Sequence, residues 1–163
     1  MNLYEERIMN GLIPFEKYRL IGDSFMVIID VTASTTTFTN IAQQSLNLDF
    51  NFLLEYLYVL SETNALTKAK LILNEEPYPR KIIVIDNTPS VKEDNSVSNT
   101  DIGFMLFNNT YWSCMRINKF LSEQWKLKIL STNTHTSDQK QYFYFQGYRV
   151  IEIKTPKAVK NED

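Results

Sequence analysis

The chain has little with which to do thiol or metal chemistry. Cys114 is its one cysteine and His135 its one histidine in 163 residues. A disulfide within the chain is excluded, and a Cys/His zinc site lacks ligands. A Ser-His-Asp or Cys-His catalytic pair would need His135. That residue sits in the polar, turn-like stretch STNTHTSDQK, not on an element that would hold and orient a base. Cys114, in YWSCMRI, reads as a small buried hydrophobe rather than a nucleophile. No apolar run reaches the roughly 18 residues of a membrane-spanning helix. The chain also lacks an excess of basic residues. Its net charge of −2 and pI of about 5.5 argue against a nucleic-acid partner. GxGxxG, P-loop and HExxH motifs and paired helical carboxylates are missing too, so neither a metal nor a cofactor is expected. The opening MNLYEERIMN has no apolar stretch of the secretory kind, and Glu5 and Glu6 fit a transit peptide poorly. The protein is expected to work in the compartment where it is made.

What is present is enough apolar residue, 44%, to bury the core of one ordinary domain. Residues 3–12 read as a short amphipathic helix, and Pro14 suits the first turn of a second, PFEKYRLIG, closed by Gly22. Asp23 and Ser24 can cap FMVII, which fits helix or strand. The Ser/Thr run from Thr32 to Asn40 reads as a loop. Leu48 to Leu60 is apolar at several periods, and periodicity does not decide its state. LTKAKLIL and RKIIVID read as antiparallel strands around a Pro77/Pro79 turn. Asp86 to Asp101 is a long polar loop, of a length often found in lids or disordered segments. YWSCMRINKFLSEQW reads as a helix, WKLKIL and QYFYFQGYRVIEI as a closing strand pair, and the end of the chain as a charged tail. Helices first, then strands with one helix inserted, predict an α+β domain, an antiparallel sheet with helices on one face. Its bounds are placed at 1–156, with 157–163 as the tail.

Four pieces in order carry a resemblance: PFEKYRLIGDSFM, LTKAKLILNEEPYPRKIIVID, NTDIGFMLF and YRVIEIKTP. Together they resemble the chorismate pyruvate-lyase family, nearest to its cyanobacterial and algal-plastid relatives, over roughly residues 12 to 156. The resemblance implies cofactor-free elimination of pyruvate from chorismate to give 4-hydroxybenzoate, a step of quinone biosynthesis. It implies an antiparallel sheet with helices over an enclosed ligand pocket. It places the family's glutamate on Glu152, its carboxylate-holding backbone groups on Phe25 and Ile102 beside Gly103, and its arginine position on Lys68, with Lys70 as rival. Two features depart from the pattern. Lysine replaces the arginine, which loses the planar fork that matches a carboxylate. Asp-Ser-Phe-Met stands where the family has Asp-Gly-x-x-Thr.

The chemistry needed is modest. A cation and two N–H groups would hold one carboxylate, and a glutamate kept protonated by burial would donate at the far end. Each residue also has a plainer reading. Glu152 fits a solvated strand face with a cross-strand partner, Lys68 and Lys70 fit ordinary exposed lysines, and Gly103 fits a turn glycine before a helix. The aromatics of YFYFQGY fit a core as well as a stacking platform. Three functions therefore stand: the lyase, a non-catalytic binder of small carboxylates on the same fold (as in the UTRA ligand-sensing domains), and an interaction protein of unrelated α+β fold. The lyase would be a monomer acting on a small cyclic or aromatic carboxylate. It would work in a plastid if the source is algal and in the cytoplasm otherwise.

Overall fold

The computed structural model describes residues 18–38, 44–47, 50–63, 67–73, 81–86, 101–121 and 126–153. They form nine strands: β1 (Tyr18–Val31), β2 (Gln44–Asn47), β3 (Asn51–Ser61), β4 (Thr67–Leu73), β5 (Lys81–Asp86), β6 (Asp101–Leu106), β7 (Ser113–Leu121), β8 (Lys126–Asn133) and β9 (Gln139–Glu152). No helix occurs among the described residues. The expected α+β domain with helices on one sheet face is therefore corrected to an all-β sandwich.

Sheet A has the order β1-β9-β3-β7 and sheet B the order β2-β8-β4-β5-β6. The pairings nest: β1 with β9, β2 with β8, β3 with β7 and β4 with β5, all antiparallel. First with last, second with next to last, is the wrapping of a jelly roll. β6 is an addition, running parallel to β5 at the rim of sheet B.

Alternation builds the core. Along β9 the side chains of Gln141, Phe143 and Phe145 are buried, while Tyr142, Tyr144 and Gln146 face outward. From sheet A, Val27, Ile29, Phe52, Leu54, Leu57 and Val59 meet Leu71, Leu73, Ile83, Ile85 and Ile129 of sheet B. Phe25, which the resemblance made a backbone donor, stacks on Phe145 with ring centroids 4.7 Å apart and packs against this core.

The helical reading of YWSCMRINKFLSEQW fails for a visible reason. Ile117 and Leu121 enter the core, whereas Phe120 joins a cluster on the opposite face with Leu53 and Val150. Apolar residues on both faces of one strand imitate a spacing of three and four. Asn118, at φ 52°, lies where the β3–β7 register shifts, a conformation that asparagine tolerates well. In the second predicted helix, Tyr18 to Gly22 belong to β1; the earlier one, at 3–12, lies outside the described residues. LTKAKLIL and RKIIVID are antiparallel neighbours as expected. The closing strands exist but do not pair with each other: β8 lies in sheet B and β9 in sheet A. Of the loop expected from Asp86 to Asp101, the two ends belong to β5 and β6 while 87–100, like the tail at 157–163, lie outside the described residues.

A candidate ligand-binding face on sheet A

The residues singled out from the sequence do not share a site. Glu152 is exposed at the end of β9, opposite Tyr18 on β1. Lys68 lies on β4 of the other sheet, facing Asp86 across the strand pair, with Nζ 3.0 Å from the buried Asp86 carboxylate. Lys70 shares that face, its ammonium 5.1 Å from the centre of the Phe38 ring. Ile102 packs on the same side of sheet B against Ile72, Ile82 and Val84. Gly103 sits inside β6, not at the start of a helix, and the Met115 thioether fills the space beside it. Lys68 and Lys70 thus belong to a different sheet from Glu152 and enclose no common cavity with it. Cys114, expected to be buried, is exposed. His135 is in the turn expected of it, where its Nδ1 accepts from the Ser137 hydroxyl at 2.8 Å and backbone N–H at 3.1 Å.

The functional candidate is the outward face of sheet A. Strand register sets its side chains in rows. Ile28 lies beside Tyr142 and Leu60. The next row is Met26, Tyr144, Tyr58 and Cys114; the one after is Ser24, Gln146, Tyr56 and Arg116. Then Gly22 stands beside Tyr148, with nothing within 4 Å of the place a Cβ would take. Trp112, just before β7, meets Tyr142 edge to face at 6.3 Å, and Tyr58 meets Tyr144 at 5.8 Å with planes 58° apart. Met26 and Trp112 remain 48% and 40% exposed, which is high for such large apolar side chains.

Two adjoining depressions mark this face, and they share Tyr144 and Gln146. One, of about 470 Å³, is lined by Met26, Tyr58, Trp112, Tyr144 and Gln146. The other, of about 350 Å³, is polar, with Gly22, Ser24, Glu55, Gln146 and Tyr148 in its lining. Glu55 reaches it because the β3 register shifts between Leu54 and Tyr56, which frees one residue from the alternation. The Glu55 carboxylate, first by its charge and then with burial and the hydrogen bond it accepts, raises the Tyr148 phenol above its ordinary pKa of 10.0. Burial, followed by the Cys114 thiol, raises Tyr58 likewise. Asp23 also lines the polar depression, but its carboxylate is engaged by Arg149 Nη2 at 3.1 Å and by the Ser24 N–H at 2.8 Å.

A raised phenol pKa means that the folded protein holds this proton more tightly than the unfolded chain does. The Tyr148–Glu55 contribution is then complete below the ordinary tyrosine pKa and is lost as pH rises through the raised value. Glu55→Gln is expected to bring the Tyr148 titration back down toward that of a free phenol, read as tyrosinate absorbance against a Tyr148→Phe reference. An unmoved titration would separate the two side chains.

The sequence showed the aromatics of YFYFQGY but not their division: Phe143 and Phe145 go inward, Tyr142, Tyr144 and Tyr148 outward. The signal available was the alternation of Phe with Tyr itself, since only the phenol needs a polar end. Among the described residues no group of three or more His, Cys, Asp or Glu could hold a metal ion, and no helix is long and apolar enough to cross a membrane. Comparison with protein-family models, curated proteins and solved structures finds no match.

Proposed function

We propose that this chain is a non-catalytic binding module that holds its ligand on the outward face of sheet A. The observation that supports it most is the pair of adjoining depressions sharing Tyr144 and Gln146. Tyrosine, tryptophan and methionine are the residues enriched where proteins bind partners, and here Met26, Tyr58 and Tyr144 stand on strands, with Trp112 directly before β7. Of the acids in the lining, Asp23 is held by Arg149, and Glu55 accepts a hydrogen bond from Tyr148 that leaves it further acceptor capacity. This leaves no poised acid–base pair among the described lining residues. Fold alone decides nothing, since jelly rolls serve many functions.

A thermal-shift screen tests this directly, because a ligand that binds only the folded state raises Tm. A ligand that stabilises the native chain should lose about tenfold or more in affinity in Tyr144→Ala and in Trp112→Ala, the scale of a buried aromatic anchor. Equal stabilisation of both variants would place the ligand elsewhere.

The lyase reading makes a different demand. Incubation with chorismate, following 4-hydroxybenzoate and pyruvate together, is expected to give no product above the uncatalysed background. Product that Glu152→Ala abolishes would replace the binding module with an enzyme.

A further inference from the structure

We propose that the occupant of this face is an uncharged oligosaccharide chain laid along β9; the inference rests on the binding-module reading above. The first ground is charge. Among the described residues, the lining of the two depressions contains neither lysine nor arginine. Arg116 stands at the β7 end of its row, with Tyr56 between it and Gln146 and its Nε donating to Asn118; in the depressions themselves an anionic ligand, including the small carboxylates expected from the sequence, would meet the Glu55 carboxylate and no cation. The hydrogen-bonding groups that are present, the Ser24 hydroxyl, the Gln146 amide, the Tyr148 phenol and the Glu55 carboxylate, suit the hydroxyl groups of a sugar. A carboxylate accepts two such hydrogen bonds at once, and an amide both donates and accepts.

The second ground is the pattern of rings. The apolar face of a pyranose presents C–H bonds, and these are attracted to the negative face of an aromatic ring. Tyr58, Tyr144 and Trp112 offer such rings at the apolar depression, with Gln146 at the boundary where it can bond hydroxyls of a ring on either side. The third ground is length. Outward side chains run along β9 from Tyr142, which meets Trp112, to Tyr148, and these six residue steps span roughly 20 Å. That is the length of a short chain of sugar rings and too long for one. Gly22 keeps the polar end open on the β1 side, because it places no side chain beside Tyr148 there, whereas Leu53 fills the β3 side.

The probes are the hexamers of cellulose, xylan, chitin and starch, together with an arginine-containing polyproline peptide, which aromatic grooves also accept. Each is titrated into the full chain by calorimetry, beside Trp112→Ala, Tyr144→Phe and Glu55→Gln, all checked for a native circular dichroism spectrum. The expected result is that one hexamer binds and its monosaccharide binds at least tenfold more weakly. Trp112→Ala then weakens the hexamer tenfold or more, Glu55→Gln weakens it several-fold, and Tyr144→Phe, which keeps the ring, weakens it only slightly. Binding of the peptide alone, lost in Trp112→Ala, would overturn the glycan and leave the binding module standing. A hexamer that binds the native chain and all three variants equally would overturn this site. No binding of any probe would overturn the glycan class, leaving the thermal-shift screen to decide on the binding module itself.

Discussion

Gly147→Ala is expected to cost at least about 3 kcal/mol of folding stability. A Cβ at this position would lie 1.8 Å from the Leu53 carbonyl oxygen, 2.9 Å from the Leu53 carbonyl carbon and 3.1 Å from the Glu55 nitrogen. All three are backbone atoms of β3, so no rotamer change relieves the clash. Gly147 stands opposite Leu54, next to the register shift between Leu54 and Tyr56. β9 therefore needs a glycine where the bulged strand crowds it, and the bulge in turn delivers Glu55 to the outward face. A fall in Tm of roughly 10 °C or more is expected in a thermal melt. Gly22→Ala is the control. Nothing lies within 4 Å of its new methyl group, so stability should change by less than about 1 kcal/mol. Similar stabilities for the two variants would contradict the close approach of β3 and β9.

Asn133→Ala is expected to cost about 3 kcal/mol, through hydrogen bonds rather than volume. Asn133 is fully buried at the end of β8. Its Nδ2 donates to the carbonyls of Val31 and Ser137, each at 2.9 Å, and its Oδ1 accepts from the His135 N–H at 2.9 Å. Its own N–H donates to the Thr35 carbonyl at 2.8 Å. One side chain thus joins the end of β1 to the β8–β9 turn, and alanine would strand several buried polar groups. Asn133→Asp keeps the acceptor but loses both donors, and should recover little. Chemical denaturation of the variants measures this; a loss below about 1 kcal/mol would mean that water replaces the amide at little cost.

The two predictions mark what was and was not legible in the sequence. LTKAKLIL and RKIIVID were legible as strands because they are short and bounded by turn residues, and the second is rich in β-branched residues. Pairing was not, because a jelly roll joins residues far apart in sequence: Tyr18 pairs with Glu152. Helices were expected wherever apolar residues served two faces. In β3, Leu53 faces the outer cluster while Phe52 and Leu54 face the core, and the bulge then places Leu57 three residues after Leu54 on the same side. Both effects counterfeit helical spacing. The resemblance led away from the candidate site, since it drew weight to Lys68 and Glu152 on separate sheets. The face itself was half legible: the tyrosines were noticed, but register alone brings Met26, Tyr144 and Tyr58 into one row.

Ligand is expected to bind on the outward face of sheet A and not inside the sandwich. Methionine methyl groups report on both places, because Met26 lies 48% exposed in the apolar depression and Met105 is buried in the core. With methyl-labelled methionine, the protein is titrated with whichever compound stabilises it in the thermal-shift screen, and the methyl resonances are followed by nuclear magnetic resonance. The Met26 signal is expected to shift progressively to saturation while that of Met105 stays in place. A shift at Met105 with Met26 unmoved would put the ligand in the core instead.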